Sequence, residues 1–169
     1  MNEISRQLAH IIIGVSIIIS VILGFGIPFI ICLLILGLII VLLVRFNYFK
    51  SFTSIVSNLT RDHEKIPGFG GFTMVFGCLI PLLFFNSKIA LVGISVLTFG
   101  DSASTLFSKY VKTEKLPYSN KTYGGTLAGF VFGFLASIPF INLLGAFLAS
   151  FVGAIVESID EFLDDNLLI

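Results

Sequence analysis

The chain has 169 residues, 56% of them hydrophobic and 12% charged, with a mean hydropathy of +1.06 and no formal net charge. A soluble domain carries about 25% charged residues and a helix crossing the hydrocarbon takes about 20 apolar ones, so water is not the main solvent and little length is left for a separate soluble domain. The basic residues are scattered rather than gathered into a stripe, which argues against a nucleic-acid partner.

Apolar runs bounded by Gly, Pro or charged clusters predict six spans, at about residues 6–24, 28–46, 70–86, 88–108, 123–140 and 142–160. At the start of the first, Glu3, Arg6 and His10 recur at helical spacing and share one face. With one basic residue and no small-residue cleavage site before the next apolar run, this segment reads as a retained helix rather than a secretory signal. The second span ends near Arg45, and the loop after it places Phe49, Phe52, Ile55, Val56 and Leu59 at helical spacing, the pattern of an amphipathic helix resting in the interface. Arg61, Glu64, Pro67, Gly68 and Gly70 then lead into the third span, an arrangement that suits a plain helix cap or a phosphate contact through Arg61. The third and fifth runs are the least secure as full crossings, and five spans or a re-entrant segment is the alternative.

Asp101 interrupts the fourth span. An aspartate at helix centre costs about 2.5–3.5 kcal/mol on insertion scales, which something must offset. Ser104, Thr105 or a Lys at the span's end would do so structurally; a magnesium ion or a substrate hydroxyl would do so functionally. The next loop, Lys112 to Thr126, combines ammonium groups, hydroxyls and a Gly-Gly pair at a helix start. Backbone N–H groups there suit an anion, with Lys121, Thr122, Gly125 and Thr126 as phosphate contacts; a positive-inside loop before a packing helix is the plain alternative. Gly125, Ala128, Gly129 and Gly133 allow close helix approach within or between subunits, so a homo-oligomer is compatible with the pattern.

The C-terminal stretch puts Glu157, Asp160, Glu161 and Asp164 on one helical face, where like charges repel. A cation would relieve that repulsion, and magnesium takes one or two carboxylates alongside substrate phosphates. Glu157, Asp164 and Asp165 are the candidate ligands and Asn166 a candidate nucleotide contact, whereas Asp160 and Glu161 read as a solvated tail. Cys32 and Cys78 lie in apolar runs and suit core positions better than a disulfide.

With six spans, nine of the ten basic residues fall on one face, Lys88 being the exception, so the positive-inside rule makes both termini cytoplasmic. Nine of the ten acidic residues lie on that same side and Asp101 sits nearer it. A transporter needs polar groups reaching both leaflets or the midplane. Here the outer half is almost purely apolar, so the chemistry belongs at the cytoplasmic surface.

Four segments together resemble the CTP-dependent polyprenol, dolichol and phytol kinases, membrane enzymes that phosphorylate isoprenoid alcohols. The family's Glu-x-x-Arg-Lys-x-x-His resembles Glu3, Arg6, Gln7 and His10, with Gln in place of Lys. Its Gly-Asp before small residues resembles Gly100 to Ala103; its Lys-Ser-x-Glu-Gly-Ser resembles Lys121 to Thr126; its late Glu and Asp-Asp-Asn-Leu resemble Glu157 and Asp164 to Leu167. Lys115 to Thr122 is most similar to the phytol kinase branch, and Gly124 stands where the dolichol branch has Glu. The resemblance implies one all-α polytopic catalytic domain over residues 1–169, with CTP or another nucleoside triphosphate as donor and a lipid alcohol entering from the membrane. It implies magnesium held by Asp101 with Glu157, Asp164 or Asp165; phosphates facing Lys121, Arg6 and Arg61; and His10 or Asp101 as proton acceptor. A phosphatidate cytidylyltransferase-like enzyme, which would release pyrophosphate, and a non-catalytic membrane subunit are the competing expectations.

Overall fold

A computed structural model describes residues 3–46, 69–111, 113–117 and 121–159. It contains six helical rods: α1 (Glu3–Ile22), α2 (Gly26–Arg45), α3 (Phe69–Phe84), α4 (Ser87–Tyr110), α5 (Tyr123–Ser137) and α6 (Leu143–Ser158). Each lies within about three residues of a span expected from the apolar runs. Among the described residues the β-structure amounts to one isolated antiparallel bridge, Lys115 to Thr122. The expected interfacial helix around Phe49 to Leu59, the Arg61 to Gly68 entry and the acidic tail beyond Ile159 lie outside the described residues.

Local chemistry explains where the helices begin and turn. Gly24, with φ of 85°, makes the tight connection from α1 to α2, a backbone region that L side chains rarely enter. Asn86, Thr122 and Asn142 cap α4, α5 and α6, each side chain accepting an N–H from the third residue onward. Within α4, Val96–Gly100 forms a π turn. Such a turn in effect adds a residue and rotates the rest of the rod by about 100° relative to an uninterrupted helix, which sets the direction in which Asp101 points.

Burial ranks the helices. Along its most apolar stretch α4 is 72% buried, against 28% for α1 and 17% for α2, so α4 is the axis of the bundle and α2 its rim. An apolar core of Ile17, Ile18, Val21, Ile30, Met74, Cys78, Leu91, Ile94 and Leu97 joins α1 to α4. Outside it, Ile31, Ile35, Leu38, Ile39, Phe76, Phe147 and Phe151 are exposed, an outer surface fit for hydrocarbon rather than water. Three rods, α1, α2 and α4, are long and apolar enough to cross a membrane. The others have 16, 15 and 16 residues, about 22–24 Å at 1.5 Å per residue, short of an unthinned hydrocarbon core. The molecule is an all-helical membrane protein with three span-length helices. Both cysteines are free; Cys78 takes the expected core position, whereas Cys32 is exposed on α2 rather than in the core.

Close approach between α4 and α5 depends on glycine. A Cβ on Gly125 would collide with Ser108 and lie 2.8 Å from the Ser104 carbonyl oxygen, and one on Gly129 would come within 3.0 Å of Ser104 Cβ and 3.1 Å of the Gly100 oxygen. These positions, one turn apart, bring the backbones together along a line ending at the polar end of the bundle.

Candidate active site

The N-terminal half of α1, the C-terminal half of α4, the start of α5 and the end of α6 meet at one end of the bundle. There Asp101 is 1% exposed and Glu157 5%. Their carboxylates lie close enough to repel one another. Two buried like charges are costly unless a cation or hydrogen bonds answer them. Lys121 Nζ donates to Glu157 Oε1 at 3.0 Å, and Ser104 also hydrogen-bonds that carboxylate. Thr105 donates to Asp101 Oδ1 at 3.5 Å, a long contact, while His10 Nε2 stands 3.8 Å from Asp101 Oδ2 and 3.4 Å from the Leu97 carbonyl oxygen.

One turn outward, Arg6 donates to Glu3 through Nε at 2.8 Å and also through Nη2, Gln7 Nε2 donates to Glu3 Oε1 at 3.2 Å, and Lys109 Nζ lies 3.8 Å from Glu3 Oε2. A cationic rim of Arg6 and Lys109 thus stands outside a carboxylate centre, an order that suits phosphate oxygens arriving from the aqueous side.

The expected residues therefore divide. Asp101, His10, Glu157 and Lys121 come together, and Arg6 stands beside them on Glu3. Thr122 and Gly125 are nearby with their polar groups already engaged: Thr122 donates to Ser108 at 3.0 Å and accepts from Gly125 N at 3.1 Å, while Gly124 N donates to Thr113 at 3.1 Å. In this arrangement the Gly-Gly amides serve the cap, and Lys121 offers the loop's charge to the site. The Thr126 amide continues the helix by donating to the Thr122 carbonyl at 2.9 Å. Arg61, Asp164, Asp165 and Asn166 lie outside the described residues.

Among the described residues no three His, Cys, Asp or Glu side chains cluster around a common point. The Asp101 and Glu157 pair supplies two hard oxygen donors, within the number magnesium ordinarily takes from protein, and its mutual repulsion favours a cation between them.

Three contributors were not singled out from sequence. Lys109 counted there only as a positive-inside charge, Ser104 as one possible partner of Asp101 rather than of Glu157, and Gln7 as a lost charge. Gln7 is 2% exposed and bonds Glu3. The missed signal was spacing, since Gln7 lies one helical turn from both Glu3 and His10.

The fold and site define a helical membrane protein with a buried acidic centre and a basic rim at one end. Over 173 aligned residues the chain is 34% identical to an uncharacterized protein of Methanocaldococcus jannaschii, covering 99% of this chain and 88% of that one. It belongs to the same family as that archaeal protein. It is also 32% identical over 126 residues to probable phytol kinase 2, chloroplastic, of Oryza sativa subsp. japonica, covering 64% of this chain and 41% of the kinase. Similarity to the chloroplastic farnesol kinase of Arabidopsis thaliana is 33% over 101 residues, 50% of this chain and 33% of that protein. The chain thus spans well under half the length of these two plant kinases. No protein-family profile and no solved structure matches it.

Proposed function

We propose that this protein is a membrane kinase that transfers the terminal phosphoryl group of a nucleoside triphosphate, CTP by the resemblance, to the hydroxyl of an isoprenoid alcohol. The observation that carries this reading is the pairing of Asp101 with Glu157 in the company of His10 and Lys121, buried at one end of an otherwise apolar bundle. The partial similarity to enzymes named phytol and farnesol kinases points to the same chemistry.

Phosphoryl transfer asks the protein for alignment and charge neutralisation more than for a nucleophile. Asp101 and Glu157 would hold magnesium, with Asp164 or Asp165 completing the set, and the ion would neutralise the phosphate oxygens. Lys121 and Arg6 would face the donor's phosphates, the resemblance would add Arg61 and Asn166 as contacts, and Thr122, Gly125 and Thr126 would order the start of α5 beside them. The alcohol oxygen forms the new bond to phosphorus as the bond to the leaving nucleoside diphosphate breaks, and the hydroxyl proton passes to His10 or Asp101. All six rods cross the membrane in this reading, the three shorter ones together with their flanking residues, with both termini and the site cytoplasmic.

The test is a product assay on purified protein in liposomes with labelled CTP, magnesium and a panel of farnesol, geranylgeraniol, phytol, dolichol and diacylglycerol. A lipid monophosphate with CDP is expected, and its loss in Asp101→Asn. Pyrophosphate with a CDP-lipid would make the protein a cytidylyltransferase; no turnover with any nucleotide would end the enzymatic reading.

A further inference from the structure

Deeper than the acidic centre, α1, α4 and α5 enclose an apolar groove of about 400 Å³, with Val15 and Ile18 on one wall, Ser95 and Phe99 on the floor, and Phe132 and Ala136 on the other wall. This volume falls within the range of small-molecule sites. Three buried polar atoms lie along the same α1 to α4 seam with no hydrogen-bond partner among the described residues: Gln7 Oε1, Thr98 Oγ1 and Ser95 Oγ. Gln7 is 2% exposed, and Thr98 and Ser95 are fully buried. Buried polar groups are ordinarily satisfied, and the two exceptions beside the groove, Ser95 and Thr98, call for an occupant.

The seam has a single antiparallel register. Glu3 faces Lys109, His10 faces Asp101, and a Cβ on Gly14 would strike the Thr98 side chain. That register sets Gln7 level with Thr105 and puts Thr98 one turn below Asp101, beside the upper end of the groove at Phe99. From groove to carboxylate the order is therefore an apolar trough, an unpartnered hydroxyl, then Asp101 with His10. An amphiphile with a long hydrocarbon tail and one terminal hydroxyl has that order of polarity.

We infer that the groove and seam form the binding site of the lipid alcohol, with the methyl-branched tail between Val15 and Ala136 and the hydroxyl beside Thr98. This rests on the kinase reading for the identity of the head group; the groove and the unpartnered atoms stand without it. Val15, Ile18, Phe99 and Phe132 give the tail apolar walls, and its methyl branching follows from the kinase reading. In the present structure Asp101 is 1% exposed, so the hydroxyl reaches it by parting α1 from α4. The polar contacts there are long, 3.4–3.8 Å, so the close contact to be opened is that of Gly14 with Thr98.

The experiment uses the full chain in nanodiscs, without nucleotide, and a prenyl alcohol carrying a diazirine in its tail. Labels are expected on the α1 segment around Val15 to Ile18 and the α5 segment around Phe132 to Ala136, displaced by excess geranylgeraniol but not by a straight-chain alcohol. Ala136→Phe, which fills the groove, should cut labelling at least tenfold. Thr98→Val should raise the KM for the alcohol several-fold with kcat little changed while raising the melting temperature, because it removes an unsatisfied buried hydroxyl; a purely structural Thr98 would show the second effect alone. Labelling spread over the exposed α2 face, equal displacement by straight-chain lipid, or unaltered labelling in Ala136→Phe would overturn the inference. Specific groove labelling without turnover would leave the alcohol site standing and remove the kinase; turnover with unchanged KM in both variants would do the reverse.

Discussion

Asp101, Glu157 and Lys121 form a three-charge balance in a place where charge is expensive. Removing Lys121 leaves two mutually repelling buried carboxylates, so Lys121→Met is expected to destabilise the fold by about 1.5–3 kcal/mol, the range for hydrogen bonds to charged groups, read as a loss of melting temperature in detergent. Adding Glu157→Gln to that variant should restore most of the loss, because the amide keeps the Ser104 contact without the charge. Glu157→Gln alone should alter stability by under about 1 kcal/mol and still abolish lipid phosphorylation, separating a structural carboxylate from a metal ligand. Asp101→Asn should keep the fold and lower turnover by at least about a hundredfold in the product assay.

At the scale of elements, the α4 to α5 contact explains why small residues recur in α5. Gly129→Ala forces a Cβ to within 3.0 Å of Ser104 and 3.1 Å of the Gly100 oxygen, and overpacking of this kind costs about 1–3 kcal/mol. Gly133→Ala places its Cβ 3.6 Å from Ser150 and Val96, an ordinary contact, and should be neutral or stabilising by up to about 1 kcal/mol through helix propensity. Paired thermal melts decide whether the packing is as close as described; equal effects would contradict it. The Gly-rich run was visible in the sequence as a packing face, but which glycine touches which partner was not, because a stripe on one helix does not specify the register of the helix it meets.

For the whole molecule, the uneven distribution of charge sets the orientation proposed for the bundle. In a background without Cys32 and Cys78, Lys88→Cys should react with a membrane-impermeant maleimide from outside intact cells, and Lys115→Cys only after permeabilisation. Reaction of both from one side would mean that α4, which lies between them, does not cross, and would remove the six-span arrangement.

Hydropathy alone determined that the chain is helical, membrane-embedded and polar at one end, because a 20-residue apolar run has few other stable solutions in lipid, where every backbone group must be bonded internally. It located six rods to within a few residues and marked Asp101, since an ionisable group in an apolar run stands out by its cost, while helical spacing, a polar loop and an acidic face marked His10, Lys121 and Glu157. What only the tertiary structure decided was how those residues meet. A π turn of five residues aims Asp101, an antiparallel register brings His10 to it from 91 positions away, and Ser104 turns to Glu157 while Thr105 turns to Asp101. These are consequences of rotation and register between helices, and a linear pattern carries each helix's periodicity without the angle at which it faces its neighbours.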